Sequence, residues 1–260
     1  MQGTLDLSTD EVHVWLAFEE RILEPALLAH YHALMTPEEA ARQRRFVFER
    51  DRHRYLVTRA LVRTVLSRYV PVAPRDWTFT ENRYGKPTAD NAPARDMALS
   101  FNVTHTQGLV AIAVTRKAAL GVDAENTEKR QAPLDVAGHF FAPDEVSALA
   151  GIGAERQHDR FFQYWTLKES YIKARGMGLS IPLDKFAFLF HTEDRLELTV
   201  HPELADVASR WHFWQFRPPG FLLAVCAQRI QTARQRIVLR EVVPLQGDSL
   251  LDSPLLCMSA

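Results

Sequence analysis

The sequence predicts an α+β protein built from two similar halves, and three observations carry that prediction. Strand-like runs come in clusters joined by tight links instead of alternating singly with helices, which favours antiparallel meanders over a parallel sheet. The order of helix and then meander occurs twice along the chain. A length of 260 residues fits between one and two domains at roughly 150 residues each.

The elements follow in order. Residues 12–18 read as an opening strand, and 24–34 as a helix ended near Thr36-Pro37. Residues 42–63 carry eight arginines against Glu49 and Asp51. A solvated helix face would account for such a run. Tyr55, Val62, Leu66 and Tyr69 at helical spacing give its later part an apolar side, so the arginines are expected to flank a packed helix. Residues 77–80 form a short strand before the turn Asn82-Arg83-Tyr84-Gly85-Lys86-Pro87. Three short strands follow at 99–103, 109–115 and 120–124. A strong helix at 161–175 is stopped by Gly176 and Gly178. Strands at 186–190, 196–200, 211–216 and 221–227 complete the second half. The junction lies between about Thr115 and Gly121, giving halves of 1–117 and 118–246, with 247–260 expected to be a mobile tail.

Composition narrows the function. Apolar residues at 47% and charged residues at 24% describe a folded globular chain. Lys and Arg (31) balance Asp and Glu (32), a net charge of −1 that argues against a general nucleic-acid binder. Cys226 and Cys257 are too few for a disulfide framework and lack metal-ligand spacing, so a reducing cytoplasm is expected. Met1 to Glu11 shows no basic-then-apolar signal pattern, and no apolar stretch approaches the roughly 20 residues that span a bilayer. No Walker A, Gly-x-Gly-x-x-Gly, Gly-x-Ser-x-Gly or His-Glu-x-x-His pattern is present.

Two segments carry chemistry. In Gly121-Val122-Asp123-Ala124-Glu125, strand alternation sends Val122 and Ala124 to one face and both carboxylates to the other. An exposed strand face would explain this pattern, and so would a hard divalent cation such as Mg²⁺ between the acids. On the helix, Phe161, Tyr164, Trp165, Leu167, Tyr171 and Ile172 form one apolar face, and Lys168 falls inside it. An ammonium there is costly unless it snorkels or meets an anion. Glu169 and Lys173 form an i,i+4 pair on the flank, either a surface ion pair or a third carboxylate for the metal beside a phosphate-directed lysine. Thr104-His105, in the short link after a strand, and Gly85-Lys86-Pro87 are further candidates, though a structural histidine accounts for the first and a plain turn for the second.

Together, Gly121-Val122-Asp123-Ala124-Glu125 and Trp165-Thr166-Leu167-Lys168-Glu169-Ser170-Tyr171-Ile172-Lys173-Ala174-Arg175-Gly176 resemble the two signature motifs of 4′-phosphopantetheinyl transferases. Arg45-Phe46-Val47-Phe48, Tyr84-Gly85-Lys86-Pro87, Phe101-Asn102-Val103-Thr104-His105 and Gly178-Leu179-Ser180-Ile181-Pro182-Leu183 are similar, in the same order, to the larger surfactin-synthetase-activating (Sfp) type. The resemblance implies a monomer of two pseudo-symmetric α+β halves, each a helix on a small, mostly antiparallel sheet, with coenzyme A in the cleft between them. It implies attack by a serine of an apo acyl or peptidyl carrier protein on the β-phosphate of coenzyme A, with adenosine 3′,5′-bisphosphate leaving.

Carried over by position, Asp123, Glu125 and Glu169 would hold Mg²⁺ or Mn²⁺. Glu169 would also be the base, and Lys173 and Lys168 would neutralise developing charge. Arg42, Lys86 and His105 would contact phosphate, and Thr104 would add a hydrogen bond nearby. Two positions depart from the pattern. Glu39 stands where some members carry a lysine, and Tyr55 where some carry a small hydroxyl residue. The alternatives are a non-catalytic module that binds coenzyme A or carrier proteins, and another Mg²⁺-dependent phosphoryl transferase or hydrolase. The expected partners are coenzyme A and a carrier protein, with neither nucleic acid nor membrane.

Overall fold

Residues 4–230 and 235–259 are described by a computed structural model. The chain resolves into two compact units. The described residues of unit 1 fall within Met1–Glu81, Pro87–Lys117 and Ala233–Asp252, and those of unit 2 within Asn82–Lys86, Ala118–Thr232 and Ser253–Ala260. None of the described helices is long and apolar enough to cross a membrane.

Unit 1 is organised around strand Glu11–Ala17, whose residues from Val12 onward are all buried. It runs parallel to Arg236–Val243, with Glu11 opposite Arg236, and antiparallel to Leu109–Arg116. Gly247–Leu250 and Leu99–Thr106 close the two edges of this five-stranded sheet. Helix Glu49–Leu66 buries Val57, Ala60, Leu61 and Val65, three or four residues apart, in a core shared with Trp15, Val110, Ile112 and Val114. At the hairpin Leu99–Thr106 to Leu109–Arg116, Gly108 takes φ 92°, and its N–H donates to Glu19 Oε1 at 3.0 Å.

The arginine run is less solvated than its composition suggests. Helix Pro37–Arg44 begins with a capping box in which the Glu39 N–H donates to Thr36 Oγ1 and the Thr36 N–H donates to Glu39 Oε2. The same Glu39 carboxylate accepts two bonds of 3.0 Å from Arg63 and one from Arg59. Arg63 is thereby buried and also donates to the carbonyls of Pro74 and Trp77. Arg54 pairs with buried Glu19 at 2.8 Å.

In unit 2 a six-stranded sheet runs in the order Leu120–Asn126, Phe221–Gln228, Trp211–Phe216, Leu255–Ser259, Arg195–Val200, Phe186–Phe190. Helix Ala154–Arg175 lies on its first two strands. Phe161, Tyr164, Leu167, Tyr171 and Ile172 are buried as the apolar face. The helix starts seven residues before the expected Phe161, because Ala154 to Arg160 are mostly good helix formers without an apolar repeat to mark them. Gly176 ends it in the left-handed conformation at φ 65°.

The segment 247–260, expected as a mobile tail, forms strand in both units through residue 259. Gly247–Leu250 pairs with Arg236–Val243, and Leu255–Ser259 sits inside the second sheet with Cys257 buried. Residues Arg236–Val243, expected in the second half, belong to unit 1. Gly-Asp-Ser and Asp-Ser-Pro punctuate these short strands and hide their alternation. Each unit therefore carries one long helix on a largely antiparallel sheet, with five strands in one and six in the other, in different orders.

Candidate active site

The site in unit 2 is set by how closely a helix can lie on a strand. At Gly121 a Cβ would overlap Ser170 O and Ala174 N, both backbone atoms of helix Ala154–Arg175. Only glycine permits this approach. Strand alternation puts Asp123 and Glu125 on the same face as Gly121, turned toward the helix flank that carries Glu169 and Lys173. Both acids are 6% exposed, so an open strand face is ruled out.

The contacts are direct. Lys173 Nζ donates to Asp123 Oδ1 at 2.6 Å and to the Val122 carbonyl at 3.2 Å. Glu125 Oε1 accepts from Arg130. Arg130 is delivered by a turn at Asn126, whose Oδ1 accepts from the Glu128 and Lys129 amides at 3.2 and 2.9 Å. Burial raises the Glu169 pKa, and the charges of Asp123 and Glu125 raise it further, against the opposing effect of Lys173. The three acids therefore share one electrostatic environment.

Among the described residues, no three His, Cys, Asp or Glu side chains stand as a ready-made ion-holding cluster. Lys173 and Arg130 pair with two of the acids instead. The chemistry nevertheless fits a divalent cation. All three donors are hard oxygens, and the part of the Glu169 shift that comes from the charges of Asp123 and Glu125 is what a cation would relieve.

Two lysines expected to address phosphate are engaged elsewhere. Lys168 is 1% exposed, and its Nζ lies 2.7 Å from Glu145 Oε2 while donating to the carbonyls of Leu183 and Phe186 at 2.8 and 2.7 Å. All three ammonium hydrogens are thus engaged inside the fold. Lys86 Nζ donates to the carbonyls of Leu120, Lys173 and Ala174 at 2.9, 2.7 and 3.3 Å. It caps the negative end of the long helix, and burial brings its pKa down to about 8.

The remaining predicted residues lie in unit 1. Thr104 and His105 fall within strand Leu99–Thr106 and not in a link after it, with Thr104 buried and His105 exposed. Arg42 is exposed, its guanidinium 6.0 Å from the Tyr55 ring centre. Glu39, Arg42 and Tyr55 line one cavity of about 550 Å³ with Arg59 and Phe79, so both departures from the family pattern meet in one place.

Sequence reasoning missed Arg130, Glu145 and the reason for Gly121. Glu145 had a signal, since an ammonium inside an apolar stripe demands an anion. Gly121 opened the acidic motif and invited the question of what approaches it. Arg130 carried no such mark.

Comparison with known proteins gives this arrangement its class. A profile described as "4′-phosphopantetheinyl transferase superfamily" matches residues 119–226, and one described as "4′-phosphopantetheinyl transferase, N-terminal" matches 24–117. The chain is 33% identical over 198 residues to 4′-phosphopantetheinyl transferase Sfp of Bacillus subtilis, covering 76% of this chain and 84% of that protein. It is 31% identical over 251 residues to the putative 4′-phosphopantetheinyl transferase slr0495 of Synechocystis, covering 92% and 97%. Over 176 residues it is 33% identical to 4′-phosphopantetheinyl transferase HetI of Nostoc, covering 68% and 73%. The chain belongs to the 4′-phosphopantetheinyl transferase superfamily. Within that superfamily it is a transferase of the Sfp type.

Proposed function

We propose that this chain moves the 4′-phosphopantetheine group of coenzyme A onto a serine of an apo acyl or peptidyl carrier protein, with Mg²⁺ or Mn²⁺ bound, and releases adenosine 3′,5′-bisphosphate. The observation that carries the reading is the close approach of strand and helix at Gly121, which brings buried Asp123 and Glu125 against the helix flank of Glu169 and Lys173, with Lys173 Nζ 2.6 Å from Asp123 Oδ1. In the transfer, the serine oxygen bonds to the β-phosphorus as the bond from that phosphorus to the bridging oxygen breaks. The electron pair leaves with adenosine 3′,5′-bisphosphate.

Asp123, Glu125 and Glu169 would hold the cation, which when bound would offset pyrophosphate charge. Glu169 suits the task of accepting the serine proton, directly or through water, because a raised pKa brings a carboxylate closer to neutral pH. Lys173, 2.6 Å from Asp123, offers a fixed positive charge for the oxygen that becomes negative. Arg42 and His105 are assigned to phosphate by resemblance, with Thr104 adding a hydrogen bond nearby. Lys86 and Lys168 drop out of the proposal because carbonyls and Glu145 already hold them.

The test is incubation with coenzyme A, Mg²⁺ and a panel of apo carrier proteins. One phosphopantetheine added per carrier by mass spectrometry supports the reading. No addition to any carrier overturns it.

A further inference from the structure

Residues 45–48 join helix Pro37–Arg44 to helix Glu49–Leu66, and they turn their apolar side chains in opposite directions. Phe46 packs inward, its ring 5.5 Å from that of Tyr55. Val47 and Phe48 face solvent at 81% and 58% exposure. Such exposure of two adjacent large apolar residues is unfavourable in an isolated chain.

The turn is held rigidly from beneath. Arg52 donates to the carbonyls of Phe46 and Val47 at 2.8 and 3.1 Å, and the Gln43 side-chain amide donates to the Arg52 carbonyl at 3.0 Å. The apolar tips are therefore fixed outward before any partner arrives, which lowers the ordering cost of binding.

Around them stand Arg44, Arg45 and Arg50, all exposed, with the Arg50 guanidinium 5.1 Å from the Phe48 ring centre. None of the three forms a salt bridge among the described residues. Asp51 pairs with Arg54, leaving exposed Glu49 as the acid in the segment, so the turn is locally cationic in a chain whose net charge is −1. An apolar centre with an arginine rim is the anatomy of a protein-binding patch.

We propose that this turn is where the acceptor protein docks, through an acidic surface with an apolar centre. The proposal rests on the transferase reading given above. Carboxylates on the acceptor would face Arg44, Arg45 and Arg50, steering the encounter, while its apolar centre covers Val47 and Phe48.

The test uses the full chain and the apo carrier protein with the lowest KM in the panel. For the double variant V47S/F48S, the acceptor KM should rise at least tenfold, with kcat at saturating acceptor, the KM for coenzyme A and the melting temperature unchanged. For R44E/R50E, kcat/KM for the acceptor should fall at least tenfold and lose its salt dependence. An acceptor KM within twofold of the wild type in both variants overturns the proposal. So does a loss confined to retention on immobilised heparin, which would reassign the patch to polyanions. If the wild type modifies no carrier, the transferase reading fails first and the docking proposal falls with it; if only the variants behave like wild type, docking alone fails.

Discussion

Lys168 Nζ lies 2.7 Å from Glu145 Oε2, and neither side chain reaches solvent to any useful extent. Burial pushes the Glu145 carboxyl up and the Lys168 ammonium down, against the pull of the ion pair. Hydrogen bonds hold the charged forms. The Ala142 and Phe188 amides donate to Glu145 at 2.9 Å each, and Lys168 donates to two carbonyls. The pair ties the long helix of unit 2 to helix Pro143–Ala150 and to the start of strand Phe186–Phe190.

Removing one partner should be worse than removing both. Glu145→Gln is expected to cost about 3–5 kcal/mol in urea unfolding, because it strands a buried ammonium. The double variant E145Q/K168M should recover at least half of that loss. A single variant as stable as wild type would show the pair to be dispensable.

Glu169→Gln should separate activity from stability. Transfer to carrier protein should fall by roughly 10²–10⁴ if Glu169 takes the serine proton. The fold should gain. A carboxyl raised in the folded state stabilises below its unfolded pKa, and that contribution is lost as pH rises through the folded value. The variant's advantage in melting temperature should therefore grow from pH 4 to pH 7. Added Mg²⁺ should stabilise the wild type more than the variant. Equal melting temperatures at both pH values would mean that the acids do not crowd.

Gly121→Ala should part the helix from the strand. The new methyl meets the backbone at Ser170 and Ala174, where no rotamer can yield. Overpacking of this kind costs about 1–3 kcal/mol. The rate should fall further than the stability does, because Glu169 and Lys173 would be displaced from Asp123. Thermal melts beside transfer assays at a temperature where the variant is folded would check this.

Glu39→Gln tests the unit 1 cavity. Burial pushes the Glu39 carboxyl up, but Arg59, Arg63 and the Thr36 amide bring it to a net value below the usual range. Its stabilisation is present above the unfolded pKa and is lost as pH falls through the folded one. The variant should lose about 1–3 kcal/mol at pH 7 and show a weaker acid dependence of stability. Freed guanidiniums at Arg59 and Arg63 should also tighten binding of adenosine 3′,5′-bisphosphate, measurable by calorimetry. Unchanged binding would place that ligand away from this cavity.

How much was legible in the sequence follows from which signals are local. The apolar stripe with Lys168 in it and the paired acids Asp123 and Glu125 stood out because helical and strand periods are short-range. The partner of Lys168 was out of reach, because Glu145 lies 23 residues earlier in a different helix. Lys86 looked like a phosphate ligand because a turn lysine beside glycine gives no hint that a helix end will arrive over it. The buried contacts of Arg63 were hidden for a similar reason, since Glu39 is 24 residues away. The sheets that Arg236–Val243 and Leu255–Ser259 join were obscured because their partners are distant in the chain.

The parallel pairing of Glu11 with Arg236 has a consequence for how the polypeptide is made. Arg236–Val243, the fourth strand of the first sheet in chain order, emerges from the ribosome more than two hundred residues after the strand it must join. Until then Glu11–Ala17 waits with one edge open, and closing so long a loop is slow compared with pairing neighbours. Vectorial synthesis should thus leave the first sheet unfinished while most of unit 2 is already translated, and a chaperone has its natural substrate in that interval.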